Sequence, residues 1–270
     1  CASASYNRLA IVAEGCLTTL VDYTAAEGND LIGRQYCAMA LGNLAAEPMN
    51  HEEIVKSEGI NALMCLLKTE DIESGRYAAF ALSNLAANAN HRQQIVDEGG
   101  AAALVALACC EDLNAQRQAM SALRGLCITP HYRPLVVQEG VLDPIVLMAR
   151  TDEIEVLREV SAALNCLSSV EENKMEICDR SISTIIAMLL SGDVETERHA
   201  CCSVANLVEL AELHGRLLEE RGLAPLVALA LSEDTNTKGE ASRAIANLAA
   251  NADVQQTLLK EGVLLPMVKA

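Results

Sequence analysis

Tryptophan is absent from the 270 residues and phenylalanine occurs once, so aromatics make up 2% of a chain that is 51% hydrophobic. The core must therefore be built from Ala, Leu, Val and Ile. That favours helix packed on helix over a β-sandwich, whose strands draw on Thr, Tyr and Phe. Positive charge is also scarce: 20 Lys and Arg stand against 37 Asp and Glu, a net charge of −17. This argues against the phosphate-neutralising surface of a nucleic-acid binder and against attraction to an anionic membrane. Uncharged stretches such as residues 77–90 fall short of the ~18 that suggest a membrane-spanning helix. Gly-rich phosphate loops, nucleophile elbows and HExxH are missing as well, so no enzyme, cofactor or metal site is expected. Sulfur is plentiful: eleven cysteines, an odd number, fall at apolar helical positions such as Cys65, Cys127 and Cys166. They lack the paired spacing of a zinc module and read as buried reduced thiols of a cytosolic or nuclear protein.

What is present is a repeat. Asn43, Asn84, Gly125, Cys166, Asn206 and Asn247 share one register with a period of about 41 residues, within the words ALGNLAA, ALSNLAA, ALRGLCI, ALNCLSS, SVANLVE and AIANLAA. A second register holds Leu20, Leu63, Leu104, Ile145, Ile185, Leu226 and Met267. A third places Asp30, Asp71, Asp112, Glu153, Asp193 and Asp234 thirteen residues before the first register. A carboxylate there can cap a helix start, with Glu153 the poorer cap. Each period reads as a short helix (His51–Ser57), a second apolar helix (Ile60–Lys68) and a longer third (Ile72–Ala87). Gly15, Gly59, Gly99 and Gly140 fall at helix ends, where positive φ is useful. Three helices in one period cannot bury their faces alone, so neighbours must stack.

The segment EGINALMCLL…ALSNLAANANHRQQIV resembles the armadillo repeat of the importin-α and β-catenin type. The resemblance covers essentially the whole chain. It implies an all-α, right-handed superhelical solenoid in one array, with repeats at about 1–49, 50–90, 91–130, 131–172, 173–212 and 213–252 and a partial repeat at 253–270. Both ends read as interior sequence, which is expected of part of a longer array. A lipidation signal upstream of Cys1 would be invisible.

The same resemblance assigns the concave surface to the third helices. Positions four and seven residues before the Asn register lie within roughly 40° of it on a helix. The strip is then Tyr36, Met39 and Asn43; Tyr77, Phe80 and Asn84; Gln118, Ser121 and Gly125; Glu159, Ala162 and Cys166; His199, Cys202 and Asn206; Glu240, Arg243 and Asn247. A side-chain amide carries both a donor and an acceptor, so a row of them can hold the backbone of an extended peptide. Alternatively the asparagines bond the neighbouring repeat and stiffen the stack. In the importin type a Trp precedes each Asn by four residues; here no Trp is available, although Phe80 offers a ring for a cation. Arg76, Arg117, Arg158 and Arg198 lie eight residues before the Asn register, among carboxylates that favour ion pairing. His51, His91 and His131 are spaced by the repeat, too far apart to share a metal. His199 beside Cys202 is the one place where a cation could activate a thiol.

The leading expectation is a non-enzymatic interaction scaffold that binds an extended peptide or partner helix through Tyr36, Asn43, Tyr77, Phe80 and Asn84, with Asn206, Arg243 and Asn247 in a weaker polar site. An importin-like carrier, an element of a longer cytoskeletal or ciliary array, and a lipidated membrane tether are the alternatives. The expected location is cytoplasmic, with the nucleus, the cytoskeleton or cilium and a peripheral membrane site attached to those alternatives.

Overall fold

A computed structural model describes residues 5–260 except 27 and 29. Met267 and the residue 261–270 segment lie outside the described residues. Those described form helices and turns, with no strand. They divide into two compact units, 1–144 and 145–270.

In the first unit the third helices Leu31–Ala45, Ile72–Leu85 and Leu113–Cys127 pack on one another in sequence. Fully buried alanines, Ala78, Ala79, Ala81 and Ala119 among them, let these helices approach closely. Leu41, Leu63, Leu82, Leu85, Leu104 and Met120 supply the apolar volume. The second unit repeats this arrangement with Ile154–Ser168, Val194–Leu207 and Thr235–Ala249, over a core that includes Val160, Leu164, Ile185, Val204, Leu226 and Ile245. A core that is almost wholly aliphatic, with Tyr132 its buried aromatic ring, suits helices that must stack at a fixed small interval.

Each third helix starts where the acidic register places it. Asp30, Asp71, Asp112, Asp193 and Asp234 each accept a hydrogen bond from the backbone N–H three residues on, and Glu153 makes no such bond. A longer side chain cannot fold back onto that N–H as readily.

The turn between first and second helices departs from expectation at two points. In the second repeat it is Glu58, not Gly59, that adopts positive φ (62°). Gly59 is required for space instead, since a Cβ there would lie 2.7 Å from the Ile54 carbonyl oxygen. The turn therefore has a left-handed position and, next to it, a close-approach position. Gly99-Gly100 fills both with glycine, Gly140-Val141 only the first, and Glu58-Gly59 and Arg221-Gly222 only the second. The fifth repeat has Arg180-Ser181, with glycine at neither, and there the expected pair of helices is one continuous helix, Glu171–Met188. An L-residue in the left-handed region costs about 1–2 kcal/mol. Glu58→Gly and Arg221→Gly should each raise stability by about 0.5–1 kcal/mol, the remainder being lost to the freer unfolded chain. Urea denaturation measures this; a fall in stability would mean that Glu58 holds the turn through its carboxylate bond to Asn61.

Candidate functional site

The strip positions share a solvent-accessible face within each unit. None of the eighteen residues named for it is buried. In the first unit Tyr36 is 62% exposed, while Met39, Asn43, Tyr77, Phe80 and Asn84 are half-buried. The Arg76 guanidinium lies 4.3 Å from the centre of the Tyr77 ring, and its Nε donates to Glu73 at 2.8 Å. One face of Tyr77 is thus already occupied. The Phe80 ring lies against the previous repeat, where a Cβ on Gly42 would come within 2.5 Å of it. Glycine at 42 makes the seat for that ring.

Asn84, Asn206 and Asn247 each bond the preceding repeat. Asn84 Nδ2 donates to the Gly42 carbonyl at 3.2 Å, and Asn247 Nδ2 donates to the Ala205 carbonyl at 3.2 Å, the same bond in each unit. This leaves the second amide hydrogen of Asn84 and its carbonyl oxygen without a partner among the described residues. Asn206 differs: Nδ2 donates to Ser168 Oγ at 3.2 Å, while Oδ1 accepts from Arg243 Nη2 at 3.0 Å. Arg243 also pairs with Glu240 at 2.8 Å and Glu209 at 3.2 Å. It lies across the second unit's strip and consumes the acceptor of Asn206. At the vacant Asn position of the third repeat, a Cβ on Gly125 would meet Ala86 at 3.0 Å, so a larger side chain there must displace its neighbour.

Two residues eight before the Asn register, Gln35 and Arg158, tie one repeat to the next capping aspartate. Arg158 forks onto Asp193 at 2.6 and 3.0 Å, and Gln35 donates to Asp71 at 2.8 Å. The Arg158 guanidinium holds the Asp193 carboxyl well below the usual carboxylate range. Ion pairing between repeats thus accounts for Arg158, and pairing within its own helix for Arg76.

A row missed by sequence reasoning lies seven and eight residues after the Asn register. Asn50, His51, Arg92, Arg133, Asn173, His214 and Gln255 each donate to the carbonyl six residues earlier, at the end of the preceding third helix. Donors there satisfy orphan carbonyls and suit the negative helix end. The signal was legible as recurring donors at two adjacent positions of the repeat. His131 sits instead in the turn Pro130–Tyr132 and is exposed, so the three equally spaced histidines do not share a register.

The thiol near His199 is not activated. Burial and the Glu240 carboxylate push Cys202 up to about 11, and burial pushes Cys201 up to about 12. A protonated thiol is a poor nucleophile. The ten described cysteines are free, and no group of three or more potential metal ligands occurs among the described residues. Away from the strip, open clefts of about 510 and 400 Å³ lie in corresponding places in the two units, one beside Ile72 and Leu107, the other beside Ile154 and Met188.

No family model and no curated protein matches the chain. Solved structures do. An engineered protein is 28% identical with a TM-score of 0.91, over 99% of this chain and 67% of that one. A designed armadillo repeat protein is 20% identical with a TM-score of 0.78, over 86% and 99% of the two chains. Another, solved with a (KR)4 peptide, is 19% identical with a TM-score of 0.75, over 86% and 98%. The chain is an all-α solenoid with the armadillo-type repeat fold. Among the described residues no helix is long and apolar enough to cross a membrane.

Proposed function

We propose that the chain is a non-enzymatic scaffold that holds an extended segment of a partner protein along the third-helix strip of its first unit, repeats 1 and 2. The observation that carries this reading is the amide of Asn84. It braces the stack with one hydrogen and still presents a donor and an acceptor beside Tyr77 and Phe80. An extended backbone needs that pair of groups, and rings supply apolar area at little cost in rotamer entropy. Tyr36 and Asn43 continue the row one repeat earlier. A designed protein of the same fold has been solved with a (KR)4 peptide, which supports a peptide ligand.

A basic cargo, as an importin-like carrier would take, has the acidic charge in its favour. In the second unit Glu159 and Glu240 face the strip, but Arg243 already neutralises Glu240 and Glu209. The first unit is therefore the stronger candidate. Asn206, Asn247 and Arg243 remain a secondary polar site under this proposal.

The test is affinity for a partner recovered with the full-length protein. Tyr77→Ala with Phe80→Ala should weaken binding by at least about 2 kcal/mol, the loss expected of hot-spot rings. Asn206→Ala with Asn247→Ala is the control, expected to change affinity little. Unchanged affinity in the first double variant, with loss in the control, would place the site in the second unit. Because Phe80 also sits on Gly42, thermal unfolding of the first variant must be measured alongside.

A further inference from the structure

His51 and His91 start successive repeats and meet in the interior of the first unit. Both are buried, 5% and 3% exposed, with ring centroids 5.8 Å apart. His51 Nε2 hydrogen-bonds the Ala45 carbonyl at 2.7 Å, and His91 engages the carbonyl of Leu85. Those carbonyls end the helices Leu31–Ala45 and Ile72–Leu85, two residues past Asn43 and one past Asn84. The two imidazoles thus hold the C-terminal ends of the two helices that carry Tyr36, Asn43, Tyr77, Phe80 and Asn84. His91 Nδ1 is buried and has no hydrogen-bond partner.

We propose that the His51–His91 contact is an acid-sensitive latch on this strip: the two buried rings fasten the helix ends, and a proton on His91 during mild acidification loosens them. The regulatory meaning rests on the function proposed above; the latch itself is testable without any ligand.

The physical case is geometric. A proton entering at His91 Nδ1 would place a cation where no acceptor reaches it, beside the buried His51 ring. Charged neighbours do not rescue it. On the helix of His51, Glu52 Oε1 stands 3.8 Å from His91 Nε2 but is 65% exposed, and Glu53 is paired with Lys56. On the helix of His91, Arg92 is committed to Thr129 and to the carbonyls of Ala86 and Ala87. The two third-helix ends contribute carbonyls. Burial first, and His51 second, accordingly hold His91 below its ordinary value of 6.5, against the opposing pull of the Leu85 carbonyl and of Glu52. The sign follows: stability due to the neutral ring is complete above 6.5 and is lost as pH falls below it toward the folded value. Ordinary Asp and Glu do not titrate until about pH 4, so the window belongs to histidine.

The fold itself supplies substitutes that keep the bonds and remove the titration. Gln255 fills the register of His51 and bonds its carbonyl at 3.0 Å; Asn50 and Asn173 fill the register of His91 and do the same at 3.0 Å. The experiment compares wild type with His51→Gln/His91→Asn by urea denaturation at about pH 7.5 and 5.5. Over that interval the folding equilibrium constant of wild type should fall at least about threefold more than that of the doubly substituted protein. Amide exchange at residues 43–46 and 84–87, corrected for intrinsic rate, should quicken in wild type alone. Imidazole NMR titration of wild type needs no substitution. A His91 resonance titrating at or above 6.5, or equal pH slopes for the two proteins, overturns the latch while leaving the peptide-binding reading intact. A normal latch with no effect of Tyr77→Ala and Phe80→Ala on partner affinity does the reverse.

Discussion

Leu82→Ala is expected to cost about 3–4 kcal/mol of stability, the upper range for a buried leucine whose surroundings cannot collapse. Leu82 has no exposed surface and belongs to the helix Ile72–Leu85, which packs against Leu31–Ala45 on one side and Leu113–Cys127 on the other. In a repeat array stability is close to a sum of nearest-neighbour interfaces, so a cavity in a middle repeat weakens two of them. The alanines at 78, 79 and 81 leave few flexible side chains to flow into the gap. Ile72→Ala on the same helix is the comparison. That side chain is 42% exposed at the first helical position, and its loss should change stability by less than about 1 kcal/mol. Urea midpoints for the two variants decide the matter. Similar losses at both sites would mean that the first unit is not organised around the third-helix stack.

Most of the architecture was legible because it is written six times. The Asn, Leu and Asp registers each follow from one helix turn or one buried contact, and repetition separates such a requirement from chance. The acidic register even distinguished the position without a cap, Glu153, from the five aspartates that have one. Single-copy features were harder to read. The continuous helix Glu171–Met188 falls where both turn glycines are absent and the repeat is one residue shorter than its neighbours, whereas the absence of one glycine alone, at Glu58 or Arg221, does not straighten the chain.

The candidate site was legible as a face, since helical geometry alone brings positions 36, 39 and 43 together, and 77, 80 and 84 likewise. How each group is used was not. Whether Asn206 is open or closed depends on Arg243, thirty-seven residues away, folding its guanidinium back onto it. Whether Tyr77 offers one face or two depends on the adjacent Arg76 turning over the ring rather than away from it. Arg158 reaches the next capping aspartate, while Arg76 bonds Glu73 in its own helix, although the two occupy one register. A period reports which residues are equivalent, and the neighbours of each then decide its chemistry.

Gly100→Ala should destabilise the first unit by about 2 kcal/mol or more, and Gly99→Ala by only about 1 kcal/mol, although the two are adjacent in one turn. Gly99 has φ of +79° and open space around its missing Cβ, so alanine there bears only the left-handed backbone cost. Gly100 has ordinary φ, but a Cβ would lie 2.6 Å from the Ile95 carbonyl oxygen and 2.5 Å from Ile95 Cγ2. A carbonyl in a helix end cannot rotate away as a side chain can, so the turn itself must open. The fourth repeat shows what opening looks like. Val141 occupies the close-approach position there, and its N–H to Val136 carbonyl distance is 3.4 Å, against 2.9 Å for Gly222 to Leu217 in the sixth repeat. The Gly100→Ala turn should lengthen in the same sense and push the helix Gly100–Ala108 away from Ile95, a fully buried side chain. Equilibrium unfolding of the two single variants tests this directly. A larger loss at Gly99 than at Gly100 would show that left-handed backbone, not close approach, governs the turn, and Glu58→Gly would then be expected to stabilise by more than about 1 kcal/mol.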